Sequence, residues 1–182
     1  ITSQLLLTSL AHAAPSGGNV VGGSGSIEQS GLTTTVTQDT DRLAIDWQTF
    51  NVASNERVAF VQPSTTSVAL NRILDLNGSQ ILGRIDANGR VVLMNPNGIF
   101  FGSGATVNVG SLVATGLNVD AADFMNGELV LQAVAGSAGT VVNRGIINAA
   151  VGGNVALVGK QVTNSGLVSA QLGHVALASG EQ

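Results

Sequence analysis

The C-terminal quarter of the chain repeats itself, and this limits the fold more than any other feature. Val141-Val142-Asn143-Arg144-Gly145-Ile146-Ile147-Asn148-Ala149 is echoed by Gln161-Val162-Thr163-Asn164-Ser165-Gly166-Leu167-Val168-Ser169-Ala170. Gly153-Asn154-Val155-Ala156-Leu157-Val158-Gly159 returns as Gly173-His174-Val175-Ala176-Leu177-Ala178-Ser179-Gly180. Asn143 to Asn164 is a step of 21, and Val155 to Val175 a step of 20. A repeat of this length, made only of short β-type runs and Gly/Asn turns, marks a β-solenoid. Each repeat is one coil whose strands pair with the coils above and below, about 4.8 Å away. Inward Val, Leu, Ile and Ala then stack in columns, and Asn at the corners can form ladders.

Composition agrees with this reading and excludes others. The 182 residues suffice for one domain with a sizeable core, and 44% are apolar against only 3% aromatic, so the core is aliphatic. Glycine is abundant at 24 residues, but proline stops at 3, which argues against collagen and against a disordered linker. Seven Lys+Arg face eleven Asp+Glu, so no basic face for nucleic acid is visible. Cysteine is absent, which removes disulfides and thiolate metal sites. It also suits a chain that must stay unlocked until it reaches its final compartment.

At the N-terminus, Leu5-Leu6-Leu7-Thr8-Ser9-Leu10 and Ala11-His12-Ala13 read as the end of a secretory apolar region and an A-x-A cleavage site. The expectation is a signal-peptide remnant over 1–13, cleaved between Ala13 and Ala14, and a β-helix domain over 14–182 that continues beyond 182 in the full protein. The chain is expected to be exported.

Upstream of the repeats the pattern is many short strands and tiny turns. Ala14 to Gly31 reads as a leader with one or two small-residue strands. Leu32-Thr33-Thr34-Thr35-Val36-Thr37-Gln38 is β-branched but polar, as in an exposed or edge strand. Asp39-Thr40-Asp41 reads as a plain turn. In Leu43–Trp47 alternation puts Leu43, Ile45 and Trp47 on one face, with a slip before Phe50 and Val52. Trp47 is read as a core or cap residue ahead of a sugar-stacking one. Ile81, Gly83, Ile85 and Ala87 point inward, Arg84 and Asp86 outward. Asp120–Met125 reads as a short helical turn, and Glu128–Val134 as a strand outside the rhythm.

Between two apolar runs lies Asn95-Pro96-Asn97-Gly98, followed by Ile99. Asn95 precedes a proline and is pushed toward β geometry. Pro96 pre-sets the first corner of a turn, Asn97 tolerates the second, and Gly98 closes it. Strand, rigid turn, strand is the local reading, against a helix running through it.

Several motifs, in order, resemble a known family. They are Val20–Ile27, Ile45-Asp46-Trp47-Gln48-Thr49-Phe50-Asn51-Val52, Gln62-Pro63-Ser64 with Ser67-Val68-Ala69-Leu70-Asn71-Arg72, Gly83–Gly89, Asn95–Ile99 and Val107-Asn108-Val109-Gly110. Over residues 17–180 they look like the N-terminal two-partner-secretion domain of filamentous haemagglutinin-type exoproteins. Some members of that family carry an Asn-Pro-Asn-Leu motif upstream; here the stretch from Gln62 to Arg72 takes that place. The resemblance implies a right-handed parallel β-helix with an N-terminal cap and small extra-helical strands and a helix, placed here near Gly31–Gln38 and Val119–Val134. It implies a secretion address on a large exoprotein, read by the periplasmic domains of a partner outer-membrane β-barrel transporter in a Gram-negative bacterium. The exoprotein would end secreted or at the cell surface, with host or neighbouring-cell receptors met by downstream regions, and the domain itself monomeric. The residues implied in recognition are Asn95, Pro96, Asn97, Gly98 and Ile99, with Trp47, Asn71 and Arg72 secondary.

Catalysis finds little support, although parallel β-helices also host polysaccharide-degrading enzymes. Those need clustered acids, often with Ca²⁺, and a base. Here acids are mostly scattered singly, and after signal removal His174 is the only histidine. No catalytic, cofactor or metal residue is therefore assigned. A carbohydrate- or receptor-binding module would want exposed aromatics, and one Trp with five Phe offers few. The base of a structural fibre is a third reading.

Overall fold

A computed structural model describes residues 13–180. Among the described residues the β-type runs form eighteen strands that wind through three faces. Face 1 holds β1 (Asn19–Gly22), β4 (Arg42–Trp47), β6 (Val68–Ile73), β9 (Arg90–Met94), β12 (Ser111–Thr115), β15 (Val155–Gly159) and β18 (Val175–Ser179). Face 2 is narrower, with β7 (Ser79–Ile81), β10 (Ile99–Phe101), β13 (Thr140–Asn143) and β16 (Gln161–Asn164). Face 3 holds β2 (Gly25–Ser30), β3 (Thr33–Gln38), β5 (Arg57–Val61), β8 (Arg84–Ala87), β11 (Thr106–Val109), β14 (Ile146–Ala149) and β17 (Leu167–Ala170). The chain runs face 1, face 2, face 3 and back, so like strands of successive coils pair in parallel. This is a parallel β-helix.

Register carries the sequence repeat into space. Asn143 lies opposite Asn164 and Val155 opposite Val175, as the steps of 21 and 20 require. One inward column on face 1 runs Leu43, Ala69, Val91, Leu112, Val155, and one on face 3 runs Val58, Ile85, Val107, Ile147. All nine side chains are buried in one core. At the first coil the stack is closed by antiparallel strands, β1 on β4 and β2 on β3, which turn the edge away from further parallel pairing.

Over β4, β6 and β9, face 1 is buried on its outer side as well. Ala44, Leu70, Val92 and Met94 form a second core with Val119 and Phe124. Phe124 belongs to α1 (Ala121–Met125), whose first N–H groups are capped by the Asp120 carboxylate at 2.8 and 3.1 Å. Arg42 holds the helix from below, donating to the Phe124 carbonyl at 3.1 Å with its guanidinium over the ring. Burial on both sides explains why Val91–Met94 is a continuous apolar run rather than an alternating one.

Two local expectations are corrected. Gly31–Gln38 is not an extra-helical or edge strand. β3 pairs in parallel with β5 and is a rung of face 3, with Thr34, Val36 and Gln38 buried. Threonines occupy its outer positions, and this polarity masked the alternation. Glu128–Val134 is not a strand: its one pairing is an antiparallel bridge from Gln132 to Asn118, and Leu129 and Val130 are exposed. The segment crosses the outer surface with no ladder to join. The short helix at 121–125 lies outside the coils, as expected. Of the leader, residues 1–12 lie outside the described residues.

Candidate functional site

The passage from face 1 to face 2 is the corner where the most unusual geometry collects. Successive coils make it with Leu74–Gly78, then Asn95–Gly98, then the long excursion that carries α1, which ends at Gly139. Asn95 is fully buried at the end of β9. Its backbone N–H donates to the Thr115 carbonyl of the next coil at 3.0 Å. Its side-chain oxygen accepts from the Asn97 N–H at 2.9 Å, and its amide donates to the Asn77 carbonyl and Ser79 Oγ of the previous coil at 3.1 and 3.0 Å. A buried amide with every group engaged is the condition for placing it there at low cost.

The rest of the turn is tied down equally. Gly98 N–H closes on the Asn95 carbonyl at 2.9 Å, at a φ of 113° that an L side chain rarely adopts. Pro96 offers its carbonyl to the Gly139 N–H at 2.8 Å. The Asn97 amide reaches back to the Asp75 carbonyl at 2.7 Å. Ile99 points into the core. Three consecutive coils therefore meet at four residues.

Trp47, Asn71 and Arg72 sit on the same edge of face 1, one and two coils earlier. Trp47 and Asn71 point inward and are buried; the indole N–H donates to Asn71 Oδ1 at 3.0 Å, and Phe50 packs edge-on against the indole. Arg72 points outward, its Nε 3.1 Å from Asp46 Oδ1, an ion-pair distance without hydrogen-bond alignment. The structure thus brings the expected residues to one edge, but as an inner layer and an outer layer.

Sequence reasoning passed over the residues that complete the outer layer. Leu74 and Leu76 flank Asp75 in the loop gripped by Asn97, and they are 56% and 90% exposed. Lys160, the one lysine of the sequence, donates to the carbonyls of Val134 and Ser137 at 2.8 and 3.0 Å. It fixes the far wall of a groove of about 360 Å³ that runs from Leu76 past Pro96 to Gly136. The signal available in the sequence was Leu-Asp-Leu directly before Asn77-Gly78, where a turn should be polar.

On the outside of face 3, Asp86 takes hydrogen bonds from Arg57 at 2.6 Å, Arg84 at 2.7 Å and Asn108 at 3.2 Å. Burial pushes its carboxyl up, but these three donors together outweigh burial and hold it below the usual carboxylate value. Asn148 extends the stack by donating to Asn108 at 2.9 Å.

Known proteins share this architecture. The crystal structure of the HMW1 secretion domain from Haemophilus influenzae superposes with a TM-score of 0.88 at 31% identity, over 92% of this chain and 45% of that one. A heme/hemopexin-binding protein of Haemophilus influenzae strain Rd is 39% identical over 122 residues, 63% of this chain and 14% of that protein. A second heme/hemopexin-binding protein of Haemophilus influenzae is 44% identical over 81 residues, 44% of this chain and 9% of that protein. The chain therefore spans a small part of the length of the curated relatives it matches. The profile of the family described as the TPS secretion domain matches residues 11–182, and the chain belongs to that family.

Proposed function

We propose that residues 14–182 are the address of a large exported exoprotein, read by the periplasmic domains of a partner outer-membrane β-barrel transporter. The domain also nucleates β-helix folding once it emerges at the cell surface. The observation that carries the reading is the corner itself. Asn95–Gly98 binds the coil before it through Asn77, Ser79 and Asp75, and the coil after it through Thr115. A motif that joins coils in this way is suited both to seeding a solenoid and to holding a recognition surface in shape. Nearest-neighbour stability lets each emerging coil add to the last, and the antiparallel cap gives the first coil a finished end. The absence of cysteine keeps the chain free of cross-links in the periplasm.

Cleavage between Ala13 and Ala14 fits this reading. Pro15 is already buried, and the Ser16 N–H donates to the Thr49 carbonyl at 3.0 Å, so the chain enters the fold directly after the cut.

The test replaces Asn97 with Ala, and separately Trp47 with Phe, and measures both export and binding to the transporter's periplasmic domains. Reduced export and binding in both variants is the expected result. Parental export by both, with normal folding, removes these residues from the address.

A further inference from the structure

We propose that Leu74 and Leu76 make the transporter contact, and that Asn95–Gly98 acts behind them as the support that presents them. This rests on the address reading above. The polar groups of the motif are engaged inside the fold: Asn95 is buried with its oxygen and its amide both bonded, and the Asn97 amide is bonded to the Asp75 carbonyl. What the motif offers outward is the half-buried Pro96 and Asn97, the latter with its amide already committed to the Asp75 carbonyl.

The loop it grips offers much more. Asp75 lies between the two leucines, and its carbonyl is the group held by Asn97. The Asp75 carboxylate bends back to accept from the Asn77 N–H at 2.9 Å and the Asn77 amide at 3.2 Å. The Leu74 N–H donates to the Trp47 carbonyl at 2.9 Å. Bonds on every side leave the loop little freedom, and both leucines face solvent beside the groove walled by Pro96 and Val134. Isolated surface leucines are ordinary. A rigid pair continuous with an apolar groove is the arrangement of an anchor.

Chemistry also selects the partner. Asp75 is the only charged residue lining the groove among the described residues. The surface therefore fits an apolar patch with a basic rim, and the occupant is a periplasmic domain of the transporter that exports the chain.

The experiment titrates the chain against those soluble periplasmic domains by calorimetry and follows its export by the full transporter. Four variants are compared with the parent: Leu74→Ser with Leu76→Ser combined, Asp75→Asn, Asn97→Ala and Leu172→Ser. Leu172 is the control, an 85% exposed leucine far along the solenoid at a corner between faces 3 and 1. The leucine pair is expected to weaken binding at least tenfold with an unchanged urea midpoint. Asp75→Asn should weaken it several-fold and flatten its salt dependence, and Leu172→Ser should bind as the parent does. Parental binding by the leucine pair, with Asn97→Ala defective though folded, overturns the presentation model while the address reading stands. An equal loss in Leu172→Ser also overturns it, because any exposed leucine would then serve. A parental chain that does not bind the periplasmic domains removes the address reading itself.

Discussion

Two corners of the solenoid solve the same problem and serve different ends. Between faces 3 and 1, Gln62 is buried and its amide reaches the Gln38 side chain and the Ser67 and Arg90 carbonyls at 3.0–3.1 Å. Its oxygen accepts from the Gly89 N–H at 2.9 Å, and Asn88 pairs with the Gln62 backbone in both directions at 2.8 Å. Between faces 1 and 2, Asn95 does the same work for its own turn. In both, a side-chain amide substitutes for the ladder bonds that the backbone loses where the coil bends. The difference lies outside. The Gln62 corner shows the solvent Thr65 and Thr66 with Pro63 and one half-exposed valine, Val61, whereas the Asn95 corner holds out two leucines, Leu74 and the almost fully exposed Leu76. A motif can thus matter to recognition through what it positions.

Replacing Gln62 with Leu should have the largest effect on stability. It leaves the Gly89 N–H and the Gln38 side-chain oxygen without the partners they have here, while the Ser67 carbonyl keeps the Arg90 N–H, and at about 1–3 kcal/mol for each orphaned group this predicts a loss of about 2–6 kcal/mol. Urea unfolding measures it. Where the variant is still folded, binding to the transporter domains should be parental. A specific binding defect there would erase the distinction between the corners.

Asn95→Ala comes next. Three bonds go, to Asn97, Asn77 and Ser79, for about 2–4 kcal/mol. This variant should lose binding too, because the loop of Leu74 and Leu76 loses its seat. Asn97→Ala removes one side-chain bond and should cost about 1 kcal/mol. Its binding should fall further than its stability, since the missing bond is the one on the Asp75 carbonyl. If the two fall together in both variants, the corner is purely structural.

The fold was legible because periodicity reports on inward columns: Asn143 with Asn164 and Val155 with Val175 are spatial neighbours because they are one coil apart. The alternation at Ile81, Gly83 and Ile85 told inside from outside for the same reason. β3 was misread because its threonines are polar on the outer side, and a strand's rank in a sheet is not written in its own residues. The burial of face 1 on both sides appeared in sequence only as an unbroken apolar run at Val91–Met94, with no hint that Phe124 covers it. The turn at Asn95–Gly98 was readable, but its partners were not. Asp75, Thr115 and Gly139 belong to other coils, and their contact with the turn depends on how each coil bends. Lys160 and Val134 are a pair of the same kind.

The smallest effect tests whether exposed stacks behave as the buried corners do. Arg57 and Arg84 face each other on β5 and β8, and Asp86 bonds to both on the outside of face 3. Because its folded-state pKa lies below the unfolded value of about 3.8, the native chain binds fewer protons here than the unfolded one. Its contribution is therefore complete above the unfolded value and is lost as pH falls through the folded one. Asp86→Asn should be less stable than the parent at pH 7, by no more than about 1 kcal/mol, because both arginines are about half exposed and solvent screens the pair. The two urea midpoints should converge as the pH is lowered through and below that unfolded value. A gap that stays constant down to acid pH would assign the loss to packing rather than charge. Convergence would separate this solvent-facing ionic stack from the corner amides, which carry no ionisable group and hold the coil at every pH.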